Sequence, residues 1–143
     1  MAKQDLSVNG KCVPEHCKCK CCTNILPLSD YEINKIKKYK ITMPVAFDWE
    51  CYSTFNDMSL SLFGLNDVSN TFLDEVKKRG YKVMLYASKN YIESIWTYEK
   101  HPIWLAHYTS YTNYTGKYVM WQLTDKGKID GIDKLTDIDI YYK

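Results

Sequence analysis

From Pro44 onward the chain alternates short β-type runs with stretches of helical period, and this constrains the fold more than any other feature. Pro44–Glu50 is an apolar run that ends abruptly in carboxylates. A helix is expected over about 66–79, where Val68, Phe72, Leu73 and Val76 recur at spacings of three and four. Gly80 suits the C′ position that closes it. Residues 81–87 read as the next strand, and Ser88 as the cap of a short helix over 89–97 with Ile92, Ile95 and Trp96 on one side. Residues 102–108 and 118–123 are a third and fourth strand, Gly127 and Gly131 mark turns, and Thr136–Tyr141 alternates as a fifth. Strand–helix–strand–helix–strand in this order means an α/β protein with a mainly parallel sheet and right-handed crossovers.

Length makes this alternation incomplete. A closed eight-stranded β/α barrel takes about 250 residues, and this chain has 143 with five visible strands. It is expected to be the second half of something larger. An opened barrel exposes two sheet edges, which a homo-oligomer would cover.

Residues 1–40 are expected to form a separate, small basic segment ahead of the main unit at 41–143. Residues 1–43 carry eight Lys against four acids, whereas the remainder is slightly acidic. Such a short basic stretch, poor in aromatics, does not argue for nucleic acid. Its one helix is expected over 30–39, opened by Ser29 with Glu32 as reciprocal partner and broken at Thr42-Met43-Pro44. Five of the six cysteines fall at Cys12, Cys17, Cys19, Cys21 and Cys22, with Cys51 alone. That crowding suits thiolate binding of zinc or an iron–sulfur cluster better than a disulfide framework, although no second ligand pair follows downstream. No run approaches the ~18 apolar residues of a membrane span, and the first residues lack the apolar stretch of a secretion signal.

Asp48 and Glu50 are the residues on which chemistry is expected. Side chains alternate along a strand, so these two share one face while Trp49 points to the other. Two rises of about 3.3 Å separate their Cα atoms by roughly 6.6 Å. Like charges that close raise one pKa, which supplies a proton donor near neutral pH. Acid-assisted cleavage of a glycosidic bond needs such a donor. Thirteen Tyr and four Trp supply flat apolar faces for stacking on sugars, although core filling explains many of them equally well.

Taken together, Pro-Val-Ala-Phe-Asp-Trp-Glu (44–50), Gly-Tyr-Lys-Val-Met-Leu-Tyr (80–86), Trp-Leu-Ala-His-Tyr (104–108), Met-Trp-Gln-Leu (120–123), Gly-Lys-Ile-Asp-Gly-Ile (127–132) and Thr-Asp-Ile-Asp (136–139) resemble the C-terminal half of the family 25 glycoside hydrolase lysozymes. The resemblance implies a partial TIM-like barrel, and hydrolysis of the β-1,4 bond between N-acetylmuramic acid and N-acetylglucosamine in peptidoglycan. By position it makes Glu50 the general acid/base, Asp48 its carboxylate partner and Asp137 a further acid in the cleft, with Asp139 as the alternative on the same face. Tyr86, Trp104, Tyr108, Trp121 and Gln122 would line the sugar groove. His101 and His107 would be bystanders, and no cofactor is implied. Synthesis in the cytoplasm followed by action on the cell wall is the expected course.

Two other readings stay open at this stage. The family's first strands have no counterpart here, so the chain could be an inactive half-barrel that binds peptidoglycan without cleaving it. Residues 19–30 and the helix after them resemble the start of the zinc- or iron-chelating cysteine-cluster proteins, which would make it a metal-binding protein. Residues 30–43 read equally as the helix leading into the family 25 catalytic strand.

Overall fold

The computed structural model describes residues 34, 37–50 and 61–142. Within them the order is β1 (Val45–Asp48), α1 (Leu62–Lys78), β2 (Val83–Ser88), α2 (Lys89–Ser94), β3 (Ile103–Ala106), β4 (Met120–Gly127) and β5 (Thr136–Tyr141). The five strands form one sheet in sequence order. The first four are parallel and β5 runs antiparallel to β4. α1 and α2 make the crossovers that parallel neighbours require, while the β3–β4 connection contains no helix. This is the partial β/α barrel expected from the alternation.

Period-two alternation divides the sheet into two faces. On one, Phe47, Leu85, Ala87, Leu105 and Trp121 form the buried core with Leu65, Leu73 and Val76 of α1, Ile92 of α2, and Trp96. Rings meet there edge to face: Phe47 lies 5.9 Å from Trp96, and Trp49 6.2 Å from Trp96. Full burial of each such side chain stabilises by about 1.5–3 kcal/mol. The other face carries Met84, Tyr86, Trp104, Ala106, Gln122 and Asp139. It is free of helices among the described residues.

α1 begins four residues earlier than its apolar spacing suggests. Ser61 caps it by accepting the Gly64 N–H at 3.0 Å, and the added turn exposes Leu62 and Phe63. Lys77 and Lys78 lie in the last turn, where the helix dipole favours cations, and Gly80 follows at φ +90°, as a C′ glycine should. Three buried polar residues on α1 hold the segment between α2 and β3. Asn66 Nδ2 donates to the Ile95 carbonyl at 2.7 Å while its Oδ1 accepts the Tyr98 N–H at 3.2 Å. Asn70 Nδ2 donates to the Tyr98 carbonyl and its Oδ1 accepts the Lys100 N–H. Ser69 Oγ donates to Glu99 at 2.9 Å, and Glu99 and Asp74 meet the two ring nitrogens of buried His101.

Some local expectations need correcting. Gly127 is not in a turn: it ends β4, which runs four residues past the expected limit. Any Cβ at Gly127 would run into Ile138 of β5 and the Thr136 carbonyl, so the glycine is there for close strand approach. The turn falls at Gly131, φ +86°. Ser88 precedes α2 in extended conformation but makes no side-chain cap bond, and α2 stops at Ser94. The cysteines lie outside the described residues, as does the helix expected over 30–39 apart from Asn34 and residues 37–39.

Candidate active site

The residues with chemistry gather on the helix-free face, toward the C-terminal ends of the parallel strands. Asp48 is the last residue of β1, and Glu50 follows two positions later on the same side. Trp49, between them, is 1% exposed and packs into the opposite face, as strand alternation requires. Register carries the row onward: Asp48 opposes Tyr86, Tyr86 opposes Trp104, and one step further Ala106, Gln122 and Asp139 align across β3, β4 and β5. Because β5 is antiparallel, its first residues, Asp137 and Asp139, reach the same end of the sheet as the last residues of β1.

Curvature completes the site. Four inter-strand spacings of about 4.8 Å would place β1 and β5 roughly 19 Å apart in a flat sheet. The sheet is curled rather than flat, and the Asp137 charge contributes to raising the Glu50 pKa.

Hydrogen bonds fix the side chains on this face. Tyr86 and Tyr108 both donate to Gln122 Oε1, at 2.8 and 2.9 Å. Trp104 Nε1 donates to Asp139 Oδ1 at 2.7 Å, and the Trp104 ring meets Tyr86 edge-on at 4.9 Å. Burial pushes the Glu50 carboxyl above its ordinary range, and the Asp48 and Asp137 charges add to the shift. Asp48 is raised by burial. Loss of hydration rather than like-charge crowding is the first cause of the Glu50 shift. Burial also raises Asp139; the Trp104 N–H opposes that and the Asp137 charge reinforces it. The Tyr86 phenol is pushed far above the usual range, first by burial and then by its polar and charged neighbours, Glu50 and Asp48 among them, so it acts here as a neutral hydroxyl.

Asp48, Glu50, Tyr86, Trp104, Tyr108, Gln122, Asp137 and Asp139 thus share one face. Trp121 does not. It is 8% exposed within the helix-side core, and its Nε1 donates to the His107 carbonyl at 2.9 Å. Gln122 and Trp121 are adjacent on one strand, so they cannot both face a groove. His101 lies in the α1 network away from these acids, and His107 Nδ1 meets Thr112 Oγ1 at 2.8 Å. Sequence reasoning missed Asp125, whose charge reaches Tyr108 because β4 extends beyond its apolar run. Among the described residues no cluster of His, Cys, Asp and Glu could hold a metal ion, and no helix is long and apolar enough to cross a membrane.

Residues 26–132 match the family model of the glycosyl hydrolases family 25. Among solved structures the chain is similar to a family 25 glycosyl hydrolase from Bacillus anthracis, with 24% identity and a TM-score of 0.60 over 73% of this chain and 52% of that one. That likeness supports the fold. It is also similar to the spore cortex lytic enzyme SleM of Clostridium perfringens (24% identity, TM-score 0.48, 57% of this chain and 32% of that one). A third similarity is to the CTP1L endolysin (30% identity, TM-score 0.43, 52% of this chain and 29% of that one). No curated protein matches the sequence. The chain spans about half the length of the first of these structures, and less of the others. With three quarters of its length inside the family match and a partial β/α barrel carrying acids at its strand ends, this chain belongs to the glycosyl hydrolases of family 25.

Proposed function

We propose that the chain is a peptidoglycan hydrolase of lysozyme type, cleaving the β-1,4 bond between N-acetylmuramic acid and N-acetylglucosamine. The observation that carries this reading is the environment of Glu50. It is a carboxyl whose pKa is raised by partial loss of hydration and by the Asp48 and Asp137 charges, on a face that also offers Tyr86, Trp104 and Tyr108. A protonated Glu50 donates to the leaving glycosidic oxygen. Asp48 lies beside the acid on the same strand end rather than across the scissile bond, which makes it a poor direct nucleophile. In this reading the 2-acetamido carbonyl of the substrate attacks the anomeric carbon, Asp48 stabilises the charge on the resulting oxazolinium ring, and Glu50 then activates the water that opens it. Substrate assistance of this kind is known among glycosidases. Asp137 helps keep the proton on Glu50.

The test is clearance of purified bacterial cell walls by the full chain and by Glu50→Gln. Wild type should clear walls and release N-acetylmuramic acid reducing ends, while Glu50→Gln should sediment with walls and clear none. Equal clearance by both would remove Glu50 from the mechanism. A wild-type chain that sediments with walls but never clears them would be a binding half-barrel. Cleavage of a 2-deoxy substrate at an undiminished rate would eliminate the acetamido nucleophile.

A further inference from the structure

The end of the sheet away from the acids holds a hollow of about 800 Å³. Pro44, Val83, Pro102 and Val119 line it where the parallel strands begin, with Tyr141 and Tyr142 where antiparallel β5 ends. Strands of four to six residues, at about 3.3 Å each, put it roughly 13–20 Å from Asp48 and Glu50. Sheet hydrogen bonds fix its walls. The Val45 N–H donates to the Lys82 carbonyl at 2.8 Å, and the Tyr142 N–H to the Val119 carbonyl at 2.9 Å. The Tyr142 ring also meets Tyr118 edge-on at 5.5 Å.

Charge and apolar surface coincide at this end. Lys77 and Lys82 stand on the lining, are exposed, and meet no carboxylate among the described residues. Lys78, Arg79 and Lys89, by contrast, each meet a glutamate. Lys37, Lys38 and Lys40 are exposed and have no ion pair among the described residues either; they lead directly into Thr42 and Met43 on the lining. Beside these lysines in the chain, Tyr39 is 71% exposed, Ile41 41% and Met43 48%.

Unpaired cations among exposed apolar side chains narrow the choice of partner. A second copy docked through this end would set lysine against lysine, which costs free energy. The apolar groups come from two separate segments, 39–43 and 141–142, and so form a surface rather than a slot for one peptide. A bilayer with anionic headgroups satisfies both kinds of group at once. Its phosphates take the ammonium groups, lysine stems lie along hydrocarbon, and tyrosine rings settle at headgroup level.

We propose that this end of the sheet docks on membranes bearing anionic phospholipid, with Lys77 and Lys82 meeting headgroup phosphates and Tyr39, Ile41 and Met43 entering the interface beside them. Docked so, the molecule turns its acids away from the lipid. Docking needs no cleavage, so it stands or falls apart from the lysozyme reading.

The experiment is sedimentation of the full chain with extruded vesicles of phosphatidylcholine, alone or mixed equally with phosphatidylglycerol, at about 0.1 M salt. Mixed vesicles should carry the chain down, pure phosphatidylcholine should not, and about 0.5 M salt should release it. A lysine near an anionic surface strengthens binding about fivefold, so Lys77→Gln with Lys82→Gln should weaken it about 25-fold. Lys126→Gln with Lys128→Gln removes the same charge at the far end of β4 and should weaken it about twofold or less. Met43→Ser should weaken vesicle binding severalfold and leave binding to heparin unchanged. Equal sedimentation with both kinds of vesicle overturns the proposal. So does a Lys77/Lys82 variant that binds no worse than the Lys126/Lys128 one, since net charge alone would then explain the attraction. Vesicle binding unchanged by Met43→Ser overturns it too and, with tight heparin binding, makes this end a site for soluble polyanions.

Discussion

Replacing Asn66 with Ala should be among the most damaging single changes available in α1, although Asn66 touches no active-site group. Its side chain is 1% exposed and makes three hydrogen bonds, to the Leu62 and Ile95 carbonyls and from the Tyr98 N–H. Leu62 O sits within the helix ladder and loses little. Ile95 O and Tyr98 N lose a partner placed 29 and 32 residues away in sequence. At about 1–3 kcal/mol for each stranded backbone group, the loss is roughly 2–6 kcal/mol. Alanine's better helix propensity returns up to about 0.7 kcal/mol, and water reaching the exposed side of the Tyr98 turn trims the upper end. A net loss of about 1–4 kcal/mol remains, against a total of about 5–15 for an ordinary domain. Urea denaturation reads this as a lower midpoint at an unchanged slope. Asp67→Ala, one residue along on the exposed side of the helix, is the control and should change stability by under about 0.5 kcal/mol. A loss below about 1 kcal/mol for Asn66→Ala would mean that the 95–100 segment is not held by α1, and the account of how β3 is positioned would be wrong.

Two further outcomes concern the acids and the last hairpin. The carboxyls of Asp48 and Glu50 have folded pKa values above their unfolded ones, so between those values the native state binds more protons and stability falls as pH rises. Glu50→Gln should therefore raise the melting temperature at pH 7 and lose that advantage below the ordinary glutamate pKa; equal melting temperatures at pH 7 would refute a raised pKa at Glu50. Gly127→Ala forces a Cβ against Ile138 and the Thr136 carbonyl and should cost about 1–3 kcal/mol in chemical denaturation. An unchanged midpoint would show that β5 is not pressed against β4.

What was legible in the sequence follows from what is local. The apolar runs at 44–50, 81–87, 102–108 and 136–141 announced their strands because burial on a sheet needs only a short uninterrupted pattern. Asp48 and Glu50 were legible for the same reason: i and i+2 on a strand share a face whatever surrounds them. Trp121 was misplaced although the same rule was available, because its motif drew attention away from its parity with Leu105 and Leu85. Asn66, Ser69 and Asn70 stand outside the apolar spacing that marks α1, yet all three are buried. Their partners lie about 30 residues downstream in a segment with no periodicity, so nothing near them in sequence marked them as buried. Gly127 carried a turn signal, yet its glycine serves a side chain on the neighbouring strand.

The curl of the sheet has a consequence for how such a site can fail. The acids of the candidate site come from opposite margins of one ribbon, and no hydrogen bond joins those margins directly among the described residues. The ribbon is bent like a cupped hand whose thumb and little finger must oppose. Flattening it would disperse the acids while every strand stayed paired and the helical backing stayed dry, so loss of chemistry need not await loss of fold.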